Sequence, residues 1–410
     1  MALGADFRRL WLAYGTSEAG SAIGSGALPL VAVLVLHVGP FQVSLLAAVA
    51  GVAAAVLGLP AGPFIEFHRK RPAMIAADLV RCGALLTVPA AMALHVLSYP
   101  QLCVVAIGQT AGAIVFNAAS GAHLKALVPA GPADWVAANG RFEATFWTVN
   151  SAGPPVGGAI TSALGVPVTI AIDAVSFLGS ALGVRSLRAP EPPPPARPPG
   201  SSARWAEIVD GWRYVMRHRG LRALFVNSQV FGAGIMASSP LLAVLMLRDL
   251  HFPAWQYGLA LGVPCVGGVL GALALKPLTA RFGTRRVLLA SGAGRALWLS
   301  LFAFVPAGVG GLLLVIGAET LALGGSGIFN PAFATFRMEA TSDAYLSRVI
   351  ACWSISSRTS QPIGIVLGGG LAALAGVRVA LLVCGLIVAS SALLLPWRSY
   401  DFGRSPATVR

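Results

Sequence analysis

Residues 67–81, "FHRKRPAMIAADLVR", return in outline at 281–295 as "RFGTRRVLLASGAGR". Arg71 aligns with Arg285 and Arg81 with Arg295, at a common offset of 214 residues. Arg141 and Pro155 recur as Arg348 and Pro362 at an offset of 207. Each copy of the stretch is a basic burst followed by an apolar run. Such a unit, met twice in one chain, points to two like halves.

What surrounds these copies sets the solvent. The chain has 410 residues, of which 56% are hydrophobic and 11% charged. A soluble protein carries about 25% charged residues. Apolar runs recur from end to end, and about 20 apolar residues span a bilayer as a helix. Helices are required because hydrocarbon satisfies no backbone polar group. We place twelve spans at 10–36, 42–65, 73–97, 100–125, 143–165, 167–187, 221–247, 256–279, 286–306, 311–334, 349–374 and 378–397. The first run is too long for a signal-peptide core and is assigned as a span. The expected fold class is an all-α polytopic membrane protein of two pseudo-symmetric six-helix bundles.

The net charge of +14 suggests nucleic acid at first sight, but its distribution argues otherwise. Only Lys70, Lys125 and Lys276 are lysines, and the basic residues fall in short bursts between apolar runs. With twelve spans both termini share a face. That face takes Arg8, Arg9, 68–71, Lys125, Arg141, the 185–222 segment, 281–286, Arg337 and Arg348; the other takes Arg248 and Arg378. The rule that positive charge stays inside makes the first face cytoplasmic. We therefore expect a bacterial inner membrane protein with both termini cytoplasmic, a monomer in contact with the lipid bilayer and not with nucleic acid. The five cysteines, Cys82, Cys103, Cys265, Cys352 and Cys384, lie scattered within spans as packing residues.

The longest connection opens with "RAPEPPPPARPPGSS" (188–202), an extended proline-rich linker. After it, Trp205, Ile208, Val209, Trp212 and Met216 share one helical face opposite Arg204, Glu207, Arg213 and Arg217. This pattern predicts an amphipathic helix lying on the cytoplasmic interface. The domains expected are 1–188, a six-helix bundle; 189–220, the linker and amphipathic helix; and 221–410, a second bundle.

Two halves of six spans joined by a long cytoplasmic loop resemble the major facilitator superfamily. More narrowly, the chain resembles the twelve-span drug:proton antiporter branch that contains macrolide-efflux proteins and the enterobactin exporter. The resemblance rests on "FRRLWLAYGTSEAGSAIGSGALPL" (7–30), "LPAGPFIEFHRKRPAMIAADLVR" (59–81), "LVPAGPADWVAANGRFEATFWTVNSAGPPVGG" (127–158), "AIDAVSFLGSAL" (171–182) and "EIVDGWRYVMRHRGLRAL" (207–224). It implies a cytoplasmic gate loop holding Gly62, Glu66, Lys70 and Arg71, with Arg281, Gly283 and Arg285 in the second copy. Phe67 and Arg69 depart from the family pattern, as does Ala280 where the second acid would be.

Gly153-Pro154-Pro155-Val156-Gly157-Gly158 fits the "GPxxGG" of the branch's antiporter motif, and Gly140 its first glycine, while Val149 replaces the second. That motif implies export. Gly153 and Gly157 stand four apart, a face on which another helix can come close. Pro154 and Pro155 are expected to bend their helix. In the fourth span Ala106 stands where the branch often has an arginine.

A charge at the centre of a span costs about 2.5–3.5 kcal/mol on insertion scales, so each needs a reason. Glu18, Asp173, Glu319 and Arg358 are such residues. Glu18, Glu319 and Asp173 are the candidates for proton coupling. Alternatively, Asp173 makes a bundle hydrogen bond and Arg358 pairs with Glu319. Asp78 and Arg81, three apart on one face, are expected as a structural pair engaging the gate loop. Asn117, Trp147, Asn150, Asn227, Gln229, Phe231 and Arg358 are candidates for the substrate cavity.

There is no P-loop, no His/Cys cluster with metal-ligand spacing and no nucleophile elbow. We expect no cofactor, no metal and no enzymatic activity. The expected function is secondary active export, by alternating access, of a drug-like or secondary-metabolite small molecule in exchange for protons. Alternatives are an exporter or flippase of an endogenous compound such as a siderophore or lysolipid, and a non-transporting receptor or scaffold.

Overall fold

The computed structural model describes residues 4–127, 132–191 and 205–397. Their regular secondary structure is helical. In chain order the α-helices are α1 Ala5–Gly24, α2 Ala27–Leu30, α3 Pro40–Glu66, α4 Lys70–Ala93, α5 Tyr99–Leu127, α6 Pro132–Leu164, α7 Val166–Arg185 and α8 Trp205–Arg217. They continue with α9 Arg219–Val244, α10 Ala254–Gly262, α11 Cys265–Phe282, α12 Thr284–Gly294, α13 Val309–Glu339, α14 Asp343–Ala375 and α15 Val377–Ser390. Ten stretches among the described residues are long and apolar enough to cross a membrane. The expected fifth and eleventh spans are α6 and α14, each 33 residues long.

The repeat extends into backbone detail that the sequence alignment does not show. Val31–Val35 and Leu245–Asp249 are both π-helical turns, at equivalent places in the two halves. Each is followed by a histidine with positive φ, His37 at 51° and His251 at 54°. Gly165 and Gly376, at φ 87° and 89°, end α6 and α14 and cap the next helix. A left-handed residue at that corner favours glycine, which has no Cβ to clash.

Three expected spans are interrupted. The first breaks between α1 and α2 at Ser25 and Gly26. The eighth breaks between α10 and α11, where Pro264 caps the second piece. The ninth loses its α-helix at Arg295 and resumes as a 3₁₀ turn at Leu299–Phe304. The run Ser291-Gly292-Ala293-Gly294 holds two glycines, each costing about 1 kcal/mol in a helix interior. The α6 helix, by contrast, runs unbroken through Pro154 and Pro155.

By packing, the chain forms two compact units. One comprises 1–38, 49–199 and 252–262; the other 39–48, 200–251 and 263–410. In the first, Phe7, Leu10, Met74, Phe116 and Val184 lie in one apolar core. In the second, Leu221, Leu224, Leu288, Phe329 and Cys352 do so.

The expected amphipathic helix is α8, and one side of it packs within the second unit. Val215 on α8 is fully buried in the second unit's core and Trp212 packs against it. Trp212 Nε1 donates to Ser356 Oγ at 3.0 Å, and Tyr214 stacks on Tyr345 at 4.9 Å. Gly211 lies on the backbone of Arg348, too close for a Cβ. Of the expected apolar face Trp212 thus meets α14, while Val209 and Met216 are exposed. The side chains of Trp205, Glu207 and Ile208, the linker beyond Glu191 and Arg204 lie outside the described residues.

Candidate functional site

Each repeat buries one arginine at the same place. On α4 the buried residues Met74, Ala77, Asp78, Arg81, Cys82 and Leu85 follow helical spacing, so Asp78 and Arg81 point into the bundle with the apolar stripe. Arg81 fits because α5 offers Gly112 there, where a Cβ would strike the arginine's stem. Its guanidinium donates to Ser17 Oγ at 3.3 Å and Ser21 Oγ at 2.9 Å on α1, and to Gln109 Oε1 at 3.3 Å on α5. Gln109 Nε2 returns a bond to the Arg81 carbonyl at 2.7 Å. The guanidinium lies 3.9 Å over the ring of Phe177 on α7.

Three acids surround this cation electrostatically: Asp173, Asp78 and Glu18. None forms a direct ion pair with it; the pairs among the described residues are Arg9 with Asp6 and Arg213 with Asp210. Asp78 is fully buried, and Asp173 nearly so. Both carboxylate oxygens of Asp78 and Oδ1 of Asp173 lack a hydrogen bond. Asp78 faces the Ser180 hydroxyl, which is itself unsatisfied. The expected Asp78–Arg81 pair and the expected bundle hydrogen bond to the Asp173 carboxylate are thus replaced by charge without contact. The fork of Arg81 is held instead by hydroxyl and amide groups of α1 and α5. Ser176 bonds the backbone carbonyl of Asp173, at 2.7 Å, rather than its side chain.

In the second repeat Arg295 has amides where Arg81 has acids around it. It donates to Asn330 Oδ1 at 3.3 Å and Asn227 Oδ1 at 3.2 Å, and lies between the rings of Phe231 and Phe329 at 3.8 and 3.7 Å. Gly325 on α13 makes room for it as Gly112 does for Arg81. No acid among the described residues acts on it. Asn227 is fully buried and gives its amide to the Ser391 carbonyl at 2.7 Å, so it does not line a cavity as expected. Phe231 likewise serves Arg295.

The other cavity candidates are dispersed. Asn117 is exposed, and Trp147 is exposed and edge-on to Phe146. Asn150 bonds the Phe146 carbonyl of its own helix at 2.9 Å. Gln229 is held by Ser357 and Ser360 at 3.2 and 2.9 Å. Arg358 donates to Ser354 at 3.3 Å, and the expected pair with Glu319 is not formed. Glu319 lies half-buried on α13 without a charged partner among the described residues.

The antiporter stretch works as a seam. Gly153 and Gly157 lie directly on Ala22 and Ile23 of α1, where no Cβ fits. Pro154 and Gly158 meet Gly258, Ala254 and Trp255 of α10, and Pro155 meets Gly262. Trp255 N donates to Ser162 Oγ at 3.0 Å. Helix α6 is therefore gripped on two faces through small residues. Gly140 has open space around it and takes no part.

The gate loop has a partner that the sequence did not indicate. Arg69 caps α4 without a side-chain bond, and Glu191 from beyond α7 supplies it, accepting from the amides of Lys70 and Arg71. Arg71 binds the carbonyls of Leu187 and Ala189 and donates to His123 Nε2 at 3.4 Å. Asp6 takes the amides of Arg188 and Ala189 at 3.1 and 2.6 Å. His123 is buried near the C-terminal end of α5. Gly62 and Glu66 fall on α3, outside the described side chains. In the second copy Gly283, at φ 81°, joins α11 to α12. There Arg285 binds the Trp397 carbonyl at 2.7 Å, and Arg281 lies over Phe282.

Two like sets of membrane helices, each with a basic loop before its third span and a buried arginine within it, define a duplicated polytopic membrane protein. The sequence profile of the Major Facilitator Superfamily matches residues 10–242 and, in a second placement, 224–408. The chain belongs to the Major Facilitator Superfamily and is a secondary transporter. It is 26% identical over 362 residues to the multidrug efflux pump Tap of Mycolicibacterium fortuitum, covering 86% of each chain. It is 26% identical over 227 residues to the enterobactin exporter EntS of Escherichia coli O1:K1, covering 54% of this chain and 51% of that one. The solved nucleoside transporter NupG superposes with a TM-score of 0.75 at 11% identity, over 95% of this chain and 98% of its own. A bacterial homologue of the iron transporter ferroportin, in its inward-facing state, gives 0.71 at 15%, over 96% and 100%. At such identities the likeness is one of fold.

Proposed function

We propose that the protein is an exporter that moves a drug-like or secondary-metabolite small molecule out of a bacterial cell in exchange for protons. The observation that carries this reading is the relation to a multidrug efflux pump along most of both chains. The seam at Gly153, Gly157 and Gly158 supports it, since the stretch resembles the motif of exporters. Residues 1–188 and 221–410 act as two bundles that rock about the substrate, both termini being cytoplasmic and the protein a monomer. Glu18, Asp173 and Glu319 remain the acids proposed to carry the coupling proton. Asn117, Trp147, Asn150, Gln229 and Arg358 are the proposed contacts to substrate. The loop around Lys70, Arg71 and Glu191 is proposed to act as the cytoplasmic latch.

The test is expression in an efflux-deficient bacterial host, with susceptibility profiling and ethidium efflux with and without a protonophore. Raised resistance and efflux that collapses with the proton gradient are expected. Efflux that persists without the gradient removes proton coupling. Unchanged susceptibility, with secretion of a siderophore or lysolipid instead, replaces the drug reading by the endogenous one. The relation to an enterobactin exporter over half of both chains favours that second reading.

A further inference from the structure

The arginine is common to both repeats, but its acids are not. Aligned through Arg81 and Arg295, Asp78 corresponds to Gly292 and Glu18 to Gly232. Aligned through the corner glycines Gly165 and Gly376, Asp173 corresponds to Cys384. All three acids near the buried cation thus belong to the first repeat alone. A buried arginine needs no acid for packing, because Arg295 is held by two amides and two rings.

The first repeat instead holds one fixed positive charge and two deeply buried carboxyl groups, Asp78 facing only the Ser180 hydroxyl and Asp173 with Oδ1 unbonded. Ionised carboxylates in such a place are costly unless paired. With both ionised the cluster is short of a cation; with both protonated it has one too many. With the half-exposed Glu18 left to solvent, the buried groups are neutral when one aspartate is ionised beside Arg81 and the other is protonated. A protonated Asp78 would also gain a donor to offer Ser180. The remaining groups facing the pair are Glu18, Ser17 and Ser21 on α1, Gln109 on α5, Cys82 on α4 and Ser176 on α7. Of the acids only Glu18 is half-exposed.

We infer that Asp78, Arg81 and Asp173 form a store for one exchangeable proton, held by the first repeat and not by the second. This deepens the proton-coupled reading above and rests on it. In the step itself the O–H bond of one carboxylic acid breaks and the proton leaves to water by way of Glu18. The electron pair stays on the carboxylate, leaving the cluster one negative charge in excess of Arg81 until a proton is taken up again, and no redox partner is needed.

Infrared pH-difference spectroscopy of the purified protein in lipid nanodiscs tests this without any substrate. A carboxylic C=O band, shifted by deuterium exchange, is expected to appear in the wild type as the neutral range is crossed toward acid. It should be lost in Asp78→Asn and in Asp173→Asn, and kept in Glu319→Gln. Size-exclusion profiles and melting curves check that each variant is folded; the wild-type band needs no variant at all. No wild-type band, a band kept in a folded Asp173→Asn, or a band lost in Glu319→Gln overturns the assignment. Ethidium efflux with a protonophore is measured in parallel. Gradient-driven efflux without the band removes this store and leaves the exporter standing; the band without efflux of any dye does the reverse.

Discussion

The guanidinium of Arg81 lies 3.9 Å over the ring of Phe177, while the buried carboxylate three residues earlier on its own helix, Asp78, goes without a hydrogen bond. Charge compensation at this point is therefore long-range, and contact is left to serines, an amide and a ring. An arrangement of that kind can change its protonation without taking apart the helix packing around it.

Arg81 and Arg295 should differ in what their loss costs. Arg81→Met leaves buried acids without a cation, and breaking a buried charge set from one side costs about 3–5 kcal/mol. Arg295→Met leaves two asparagine amides, a loss of about 1–3 kcal/mol. Melting temperatures in detergent should fall clearly further for Arg81→Met. Equal losses would show that the acids do not depend on Arg81.

The antiporter stretch contains glycines of unequal weight. Gly157→Ala drives a methyl into the Ile23 carbonyl, so α6 has to leave α1. Overpacking of this kind costs about 1–3 kcal/mol. Gly140→Ala meets nothing. The first variant should melt lower and lose efflux; the second should match wild type in both. A harmless Gly157→Ala contradicts the packing of α6 on α1.

Glu191 closes the first turn of α4 from outside the helix. Its removal in Glu191→Ala should cost about 0.5–2 kcal/mol, as for other lost N-terminal caps.

Trp212 anchors α8 to α14. Trp212→Ala removes the bond to Ser356 and the aromatic contact with the second core, about 1.5–3 kcal/mol. Limited proteolysis should then cut near the linker at least several-fold faster. An unchanged rate would mean that α8 is held by Val215 and Tyr214 alone.

Much of the fold was legible because bilayer physics writes it into composition. Apolar runs of span length, basic bursts on one face and the duplicated arginines are one-dimensional features. They placed the helices, the repeat and the superfamily resemblance. The breaks at Ser25, Val263 and Arg295 were not legible, since a span tolerates local departures wherever neighbouring helices restore the backbone bonds. The site was legible only in part. Asp78, Arg81, Asp173 and Glu18 stood out as charges in apolar runs. Ser17, Ser21 and Phe177 carried no such signal, because serine and phenylalanine are ordinary residues of a span.

By itself, the sequence determined the solvent, the number of halves and which charges needed a reason. The tertiary structure alone decided which groups meet them. Asn227 became the partner of Arg295 rather than a cavity residue, Glu191 became the cap of α4, and α8 was taken up by α14. Each of these contacts joins residues dozens to more than a hundred positions apart. Periodicity gives the face of a helix but not the neighbour it meets, so such partners are fixed only when the helices pack.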